Sequence, residues 1–312
     1  MIKVFVDGSS GTTGLRINER LSLREDVSLI ILSEEERKDP SARSDALCSS
    51  DVTFWCLPDD ASKESEDFAS GSDAIVIDTA TVHRCDEKWT YGFAEIGDLR
   101  GKIASSRLIA NPGCHASGFI ALVSPLISEG LIIEDSFLSC LSLTGYSGGG
   151  KKMIAQYESS DRDELLSSPR QYALTQSHKH LAEMAKFTGI SKAPAFCPVV
   201  GDFYSGMQVT VPLSAEMLNG SLKTVQELYG DIYSGGLVRY VETQDDGGYL
   251  AASLMSGRDD MLISVYGNEE RMLLVASYDN LGKGASGAAI QNMNIALGLS
   301  EDLGLITYGG KI

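Results

Sequence analysis

The chain has 312 residues, enough for two hydrophobic cores. It carries 26 basic against 43 acidic residues, a net charge of −17, and no basic run, which argues against nucleic acid or an anionic membrane as a partner. Its six cysteines (Cys48, Cys56, Cys85, Cys114, Cys140, Cys197) form no CxxC pair and no zinc spacing with the four histidines, so reduced thiols, a cytoplasmic setting and no metal are expected.

Met1 leads directly into an apolar run, Ile2 to Asp7, which reads as a buried first strand with no targeting segment ahead of it. The longest apolar runs are too short to span a membrane. Gly8-Ser9-Ser10-Gly11-Thr12-Thr13-Gly14 follows, then a helical stretch from Leu15 to Leu23. GxxGxxG is a variant of the dinucleotide fingerprint. Its glycines permit a tight turn and close approach of a pyrophosphate to a helix N-terminus. Val27 to Leu32 reads as a second strand ending at Ser33, where an NAD-type fold often carries an acid. A small hydroxyl followed by Arg37 and Lys38 suits a 2′-phosphate and favours NADP, against the opposing charges of Glu34, Glu35 and Glu36.

Val52 to Leu57 and Ala74 to Ile77 are further short strands. This alternation predicts a parallel, doubly wound sheet, whose ligands sit at the carboxyl ends of the strands. Gly8, Leu57-Pro58 and Asp78-Thr79 fall at such ends. So does Asn111-Pro112-Gly113-Cys114, reached from the strand Leu108 to Ala110 and left by a helix from His115 to Ile127. A cysteine at a helix start has free backbone N–H groups and the positive end of the helix dipole beside it, which favours a nucleophilic thiolate.

Beyond residue 115 the texture changes. Strand-like runs appear at Phe137 to Thr144, Gln208 to Leu213 and Met272 to Ser277, with helical stretches at Leu181 to Lys186 and Leu222 to Tyr229. These predict a second, α+β domain around a mostly antiparallel sheet. The last helix, Ser286 to Leu297, is expected to return to the first domain. The division expected is 1–114 with 283–312 for the dinucleotide domain, and 115–282 for the second.

Three further groups carry chemistry. His178 and His180 flank Lys179; two residues apart on a helix they would point to different faces, so one of them is expected to serve Cys114 as acid/base. Ser147 and Lys151 lie in the glycine-rich run Thr144 to Lys152, whose N–H groups, hydroxyls and ammonium suit a phosphate. Arg84 presents a fork that fits a substrate carboxylate.

Taken in order, Gly8-Ser9-Ser10-Gly11-Thr12-Thr13-Gly14, Ala110-Asn111-Pro112-Gly113-Cys114, His178-Lys179-His180-Leu181-Ala182-Glu183-Met184, Val200-Gly201-Asp202-Phe203-Tyr204 and Asn280-Leu281-Gly282-Lys283-Gly284-Ala285-Ser286-Gly287 resemble the motifs of N-acetyl-gamma-glutamyl-phosphate reductases of the short, type 2 branch. The resemblance runs from Val4 to Asn294. Two departures are Ala182, where the family has proline, and a looser Asp78 to Arg84 stretch. The resemblance implies a Rossmann-type domain joined to an α+β domain of the semialdehyde and glyceraldehyde-phosphate dehydrogenase kind. It implies NADPH-dependent reduction of N-acetyl-glutamyl 5-phosphate to the 5-semialdehyde, through a thioester on Cys114, in arginine biosynthesis. It also implies a homo-oligomer, a dimer or tetramer. His178 is the first choice for proton transfer and His180 the second. Arg84 and Asn111 fall to the substrate, with Ser147 and Lys151 for its phosphate. Asn280, Gly282 and Gly284 fall to the nicotinamide half, and Gly8, Ser10, Gly11, Thr12, Thr13, Gly14, Leu57 and Pro58 to the rest of the dinucleotide. The rival readings are an aspartate-semialdehyde dehydrogenase with the same Cys/His chemistry, and a catalytically silent dinucleotide-binding module.

Overall fold

A computed structural model describes residues 1–307. The chain divides into two compact units, Met1–Gly113 with Ala285–Leu305, and Cys114–Gly284 with the segment from Ile306.

The first unit runs β1 (Ile2–Asp7), α1 (Thr12–Leu21), β2 (Val27–Ile30), α2 (Pro40–Cys48), β3 (Val52–Trp55), α3 (Asp59–Glu64), α4 (Glu66–Ser70), β4 (Ile75–Asp78), β5 (Thr90–Tyr91), α5 (Leu99–Ser105) and β6 (Leu108–Ala110). Its strands pair in the order β2-β1-β3-β4-β6-β5, all parallel. Connections from β1 leave in both directions, so the carboxyl ends of β1 and β3 form the switch point at which such sheets take ligands. Successive side chains feed two cores. Val4, Val6, Phe54, Ile77 and Ile109 pack with α1 and α5. Phe5, Trp55, Val76 and Ala110 pack with α2 and α4. Covering both faces is why these strands read as unbroken apolar runs.

The second unit opens with α6 (Cys114–Ser128), then β7 (Ser139–Gly145), α7 (Gly150–Glu158), β8 (Arg170–Gln171), α8 (His180–Thr188), β9 (Ala195–Gly201), β10 (Met207–Ser214), α9 (Leu222–Ile232), β11 (Val238–Tyr240), β12 (Met261–Gly267) and β13 (Arg271–Tyr278). The sheet order is β11-β12-β13-β10-β7-β9-β8. It is mixed: β11–β12 and β7–β9 are parallel and the other pairs antiparallel. The final helix, α10 (Gly287–Ala296), adds Ala289, Ile290 and Met293 to the first unit's core. The segment from Ile306, expected with the dinucleotide domain, belongs instead to the second unit. Asp259 explains it: its carboxyl accepts from Ile306 N at 2.8 Å and its own N–H donates to the Ile306 carbonyl at 2.7 Å. Residues 308–312 of that expectation lie outside the described residues.

Helix α6 is buried along most of its length and contains Pro125. A proline has no N–H, so the carbonyl four residues back loses its helical donor. Here that carbonyl, Ala121, accepts from the Tyr233 hydroxyl at 2.7 Å, and the next carbonyl, Leu122, accepts from the Tyr229 hydroxyl. The buried Tyr233, at the C-terminal end of α9, thus supplies the donor that the proline removes, and Tyr229 of α9 bonds the neighbouring carbonyl.

Candidate active site

In the first unit the glycine loop closes with Gly11 N donating to the Gly8 carbonyl at 2.9 Å. Gly8 has φ of 81°, a region that suits glycine, and any Cβ there would collide with the Cys56 carbonyl. A Cβ on Gly14 would lie 2.6 Å from the Gly8 carbonyl. Gly11 differs, since its added carbon would meet nothing nearer than 3.4 Å. The Thr12 hydroxyl, at the first position of α1, is buried without a hydrogen-bond partner. A bare loop, a helix N-terminus and an orphan hydroxyl together fit a dinucleotide phosphate. Beside them a cavity of about 350 Å³ is lined by Gly8, Ser9, Leu29, Leu32 and Arg37 among others.

The residues expected at a 2′-phosphate are already engaged. Ser33 N donates to the Glu36 carboxyl at 2.7 Å, and Glu36 N donates to the Ser33 hydroxyl at 3.3 Å. Hydrogen bonding of the Glu36 carboxyl by the Ser33 N–H, and then by its hydroxyl, holds the Glu36 pKa below the ordinary carboxylate range. Arg37 Nε donates to the Leu32 carbonyl at 3.1 Å, and Lys38 is exposed at the end of the same short turn. Leu57 and Pro58 follow β3, with Pro58 capping α3.

Asn111 is held at every polar group. Its N–H donates to the Asp78 carbonyl at 2.7 Å, its carbonyl accepts from Arg84 Nε at 2.9 Å, its side-chain nitrogen donates to the Ala285 carbonyl at 3.0 Å, and its side-chain oxygen accepts from Asn292 at 3.1 Å. Arg84 Nη2 also donates to the Thr79 carbonyl at 2.9 Å. Residues read as substrate ligands therefore also fasten the turn that leads to Cys114.

In the second unit Cys114 is the first residue of α6 and is half-buried. Its carbonyl accepts from the Tyr278 hydroxyl at 2.6 Å. The next residue, His115, is buried with Nδ1 2.7 Å from Ser142 Oγ and Nε2 2.6 Å from the Tyr172 hydroxyl. Burial, and the positive charge of His178 when it is protonated, push the His115 pKa down to about 3. A neutral ring donates from one nitrogen and accepts at the other, and two hydroxyls can complement either tautomer. Burial, then the charge of Cys114 as a thiolate, push the Tyr172 pKa well up.

His178 and His180 both stand in this cluster. Their ring centroids are 5.7 and 5.5 Å from that of His115, and 4.7 Å from one another. The expectation that one of them serves Cys114 rested on a helix through both. Helix α8 begins at His180, and His178 lies before it, folded back so that His180 N donates to its Nδ1 at 3.2 Å. Glu183, one turn on and buried, lies 3.8 Å from His180 Nε2. The sequence offered no signal for Tyr172 or Ser142, because both are brought to His115 by sheet pairing rather than by local spacing.

The remaining expected residues separate. Ser147 is buried and accepts from Asn280 Nδ2 at 3.0 Å, while Asn280 Oδ1 accepts from Gly206 N at 2.9 Å. Lys151 is exposed on α7. The Asp279 carbonyl accepts from Gly282 N and Gly284 N, and a Cβ on Gly284 would sit 3.0 Å from Cys114 Cβ. Gly284 thus lets the chain pack closely against the cysteine.

Comparison with known proteins agrees with this layout. Residues 3–104 match the family model described as the semialdehyde dehydrogenase NAD binding domain, and residues 114–280 match the semialdehyde dehydrogenase dimerisation domain. A solved aspartate semialdehyde dehydrogenase II from Vibrio cholerae shares the fold with a TM-score of 0.72 at 16% identity, over 95% of this chain and 98% of that one. An aspartate semialdehyde dehydrogenase with NADP from Candida albicans gives 0.66 at 14%, over 95% and 99%. The fold and matched domains therefore define a dehydrogenase with a nicotinamide-dinucleotide domain. N-acetyl-gamma-glutamyl-phosphate reductase 2 of a Nostoc species is 39% identical, over 97% of this chain and 99% of its own length. The enzyme of that name from Brucella anthropi is 44% identical, over 95% and 98%. The chain belongs to the N-acetyl-gamma-glutamyl-phosphate reductase family.

Proposed function

We propose that the protein reduces N-acetyl-L-glutamyl 5-phosphate to N-acetyl-L-glutamate 5-semialdehyde with NADPH, releasing phosphate, in cytoplasmic arginine biosynthesis. The observation that carries this reading is the near full-length identity to enzymes of that name. A cysteine at a helix start, followed by a buried His–Tyr–Ser network, supports it.

Cys114 as thiolate attacks the acyl carbon; a C–S bond forms, the C–O bond to phosphorus breaks, and phosphate leaves with the electron pair. The dinucleotide supplies the hydride that reduces the resulting thioester. N–H groups in the first turn of α6 stabilise the oxyanion that follows. His178 gives a proton to that oxyanion, forming the neutral thiohemiacetal, and takes it back as the C–S bond breaks to release aldehyde and thiolate, with His180 the second candidate. Arg84, oriented by the carbonyls of Thr79 and Asn111, receives the substrate carboxylate, and Ser147 and Lys151 are the weaker candidates for the leaving phosphate. Gly8 to Gly14, with the Thr12 hydroxyl, hold the dinucleotide phosphates, and Arg37 and Lys38 with Ser33 hold the 2′-phosphate once Glu36 yields its place. Asn280, Gly282 and Gly284 border the nicotinamide half.

A homo-oligomer is part of this reading. Leu141 and Leu273 are 41% and 43% exposed on the same face of the second sheet as Thr210 and Pro212. Such a face is suited to burial against a second copy.

The test is the reverse reaction, with semialdehyde, phosphate and NADP supplied and reduced dinucleotide followed by absorbance. A rate that needs all three, and is lost in Cys114→Ser while NADPH still binds, is expected. Activity with aspartate semialdehyde in its place would move the chain to the sister reaction. Binding without any turnover would make it a silent module. His178→Asn should slow turnover roughly 10²–10⁴-fold; the same loss in His180→Asn alone would transfer the role.

A further inference from the structure

The Tyr278 hydroxyl lies across the first turn of α6. It donates to the Cys114 carbonyl at 2.6 Å and accepts from Gly118 N at 3.1 Å. Those two backbone groups are four residues apart, the pair that a regular helix closes on itself. Tyr278 is fully buried at the end of β13, so its phenol has no water to compete for these bonds. Burial first, then the charge of Cys114 as a thiolate, raise its pKa well above the ordinary tyrosine value, which keeps the proton available for donation. Gly118 matches the arrangement: a Cβ there would lie 2.7 Å from the Tyr278 hydroxyl and from Val209 Cγ2. The chain just beyond Tyr278 returns to the same residue. Asp279 accepts from Gly257 N at 2.6 Å and Leu281 N at 2.9 Å, and the turn so fixed brings Gly284 against Cys114 Cβ.

We infer that Tyr278 is a positioning residue for the nucleophile: it orients the Cys114 peptide, and Gly284 bounds its Cβ, so that Sγ is held in one direction. The Tyr233 hydroxyl makes the contrast. It bonds the Ala121 carbonyl, whose helical donor is lost at Pro125, whereas Tyr278 bonds a carbonyl with an intact N–H four residues on. No missing donor explains it. The inference rests on Cys114 being the reactive thiol of the proposed reaction, and deepens that reading.

The experiment is Tyr278→Phe in the full chain. Fold retention is expected, because the Cys114 carbonyl and Gly118 N–H can still pair with each other. Three quantities are read: melting temperature, kcat and KM in the reverse assay, and the rate of Cys114 alkylation by iodoacetamide, followed by peptide mass spectrometry. The expected result is a kcat lower by about 10- to 100-fold with KM within about twofold, alkylation at Cys114 several-fold slower, and a melting temperature shifted by only a few degrees. Gly118→Ala, which displaces the hydroxyl without removing it, should reproduce the kcat loss. Unchanged kcat and alkylation in Tyr278→Phe would overturn the inference. A lower melting temperature with unchanged alkylation would also overturn it, by making the tyrosine structural only. Alkylation does not depend on any substrate. Slowed alkylation in Tyr278→Phe alongside full turnover in Cys114→Ser would therefore sink the thioester scheme and leave the positioning role standing.

Discussion

Each unit buries a histidine among polar partners, His83 in the first and His115 in the second, and their pKa values are pushed in opposite directions. In the first unit His83 lies between two acids, with Nδ1 2.6 Å from Asp78 and Nε2 2.8 Å from Glu66, and stacks on Trp89 at 4.2 Å. Burial opposes its charge, but the hydrogen bonds and charges of both acids outweigh it, and its pKa is raised. In the second unit His115 is as deeply buried but faces two hydroxyls and two other histidines, and its pKa is pushed down to about 3. Desolvation acts on both rings. What decides between them is whether the neighbours carry negative charge. The ring between two acids fastens the loop that leads to Arg84. The ring between two hydroxyls directly follows Cys114 in α6.

The sharpest way to break this contrast is His83→Leu. It strips the partner from Asp78, which is wholly buried with only Ser62 and the Ala80 N–H left to it. A loss of about 3–5 kcal/mol is expected. Both tryptophans of the chain, Trp55 and Trp89, lie beside His83, so their fluorescence during a urea titration reports this unit alone. An unchanged midpoint would mean that His83 is not the counter-ion.

His115→Leu should cost less, about 1–3 kcal/mol, since it orphans two neutral hydroxyls rather than an acid. Pulse hydrogen exchange of α6 peptides in urea measures it. A loss as large as that of His83→Leu would equate the two sites and undo the comparison.

The pH dependences should have opposite signs. Below the unfolded histidine value of about 6.5, the unfolded chain takes up a proton that folded His115 refuses until about pH 3, so stability falls as pH falls, by about 1.4 kcal/mol per pH unit between those values. His83 behaves in reverse. Its stabilisation is complete below about pH 6.5 and is lost as pH rises through its raised folded value. Subtracting the urea midpoints of His115→Leu and His83→Leu from those of the wild type at each pH isolates the two slopes. Two slopes of one sign would contradict the assignment.

The first unit was legible in the sequence because its logic is local. A strand, a glycine loop and a helix follow one another, and apolar strands buried on both faces announce themselves. Cys114 was legible for the same reason, as a cysteine between a Pro-Gly turn and a helix. The short β5 and β8 were not, since two-residue strands carry no period. The runs at β9, β11 and β12 gained their identity only from pairing in the second sheet. The partners of the site escaped for a related cause. Ser142, Tyr172 and Tyr278 lie 28, 58 and 164 positions beyond Cys114 and reach its neighbourhood through sheet register, which spacing does not encode. The histidine pair was visible, but the start of α8 between its members was not, and that one residue of helix boundary decided how both rings lie.

The first unit's chain is interrupted, with α10 arriving from beyond residue 285 to place Ala289, Ile290 and Met293 among residues of β1, β3 and β4. On the ribosome this inverts the usual order. The N-terminal part of the dinucleotide-binding half is translated before the second unit, yet it lacks one wall of its core until the residues of α10 have emerged. The half that begins at Cys114 is nearly contiguous and is complete in its main body by Gly284. Domains ordinarily fold from the N-terminus as they are made. Here the unit that begins at Cys114 can close its core before the unit that precedes it, whose sheet keeps one apolar face uncovered until α10 arrives.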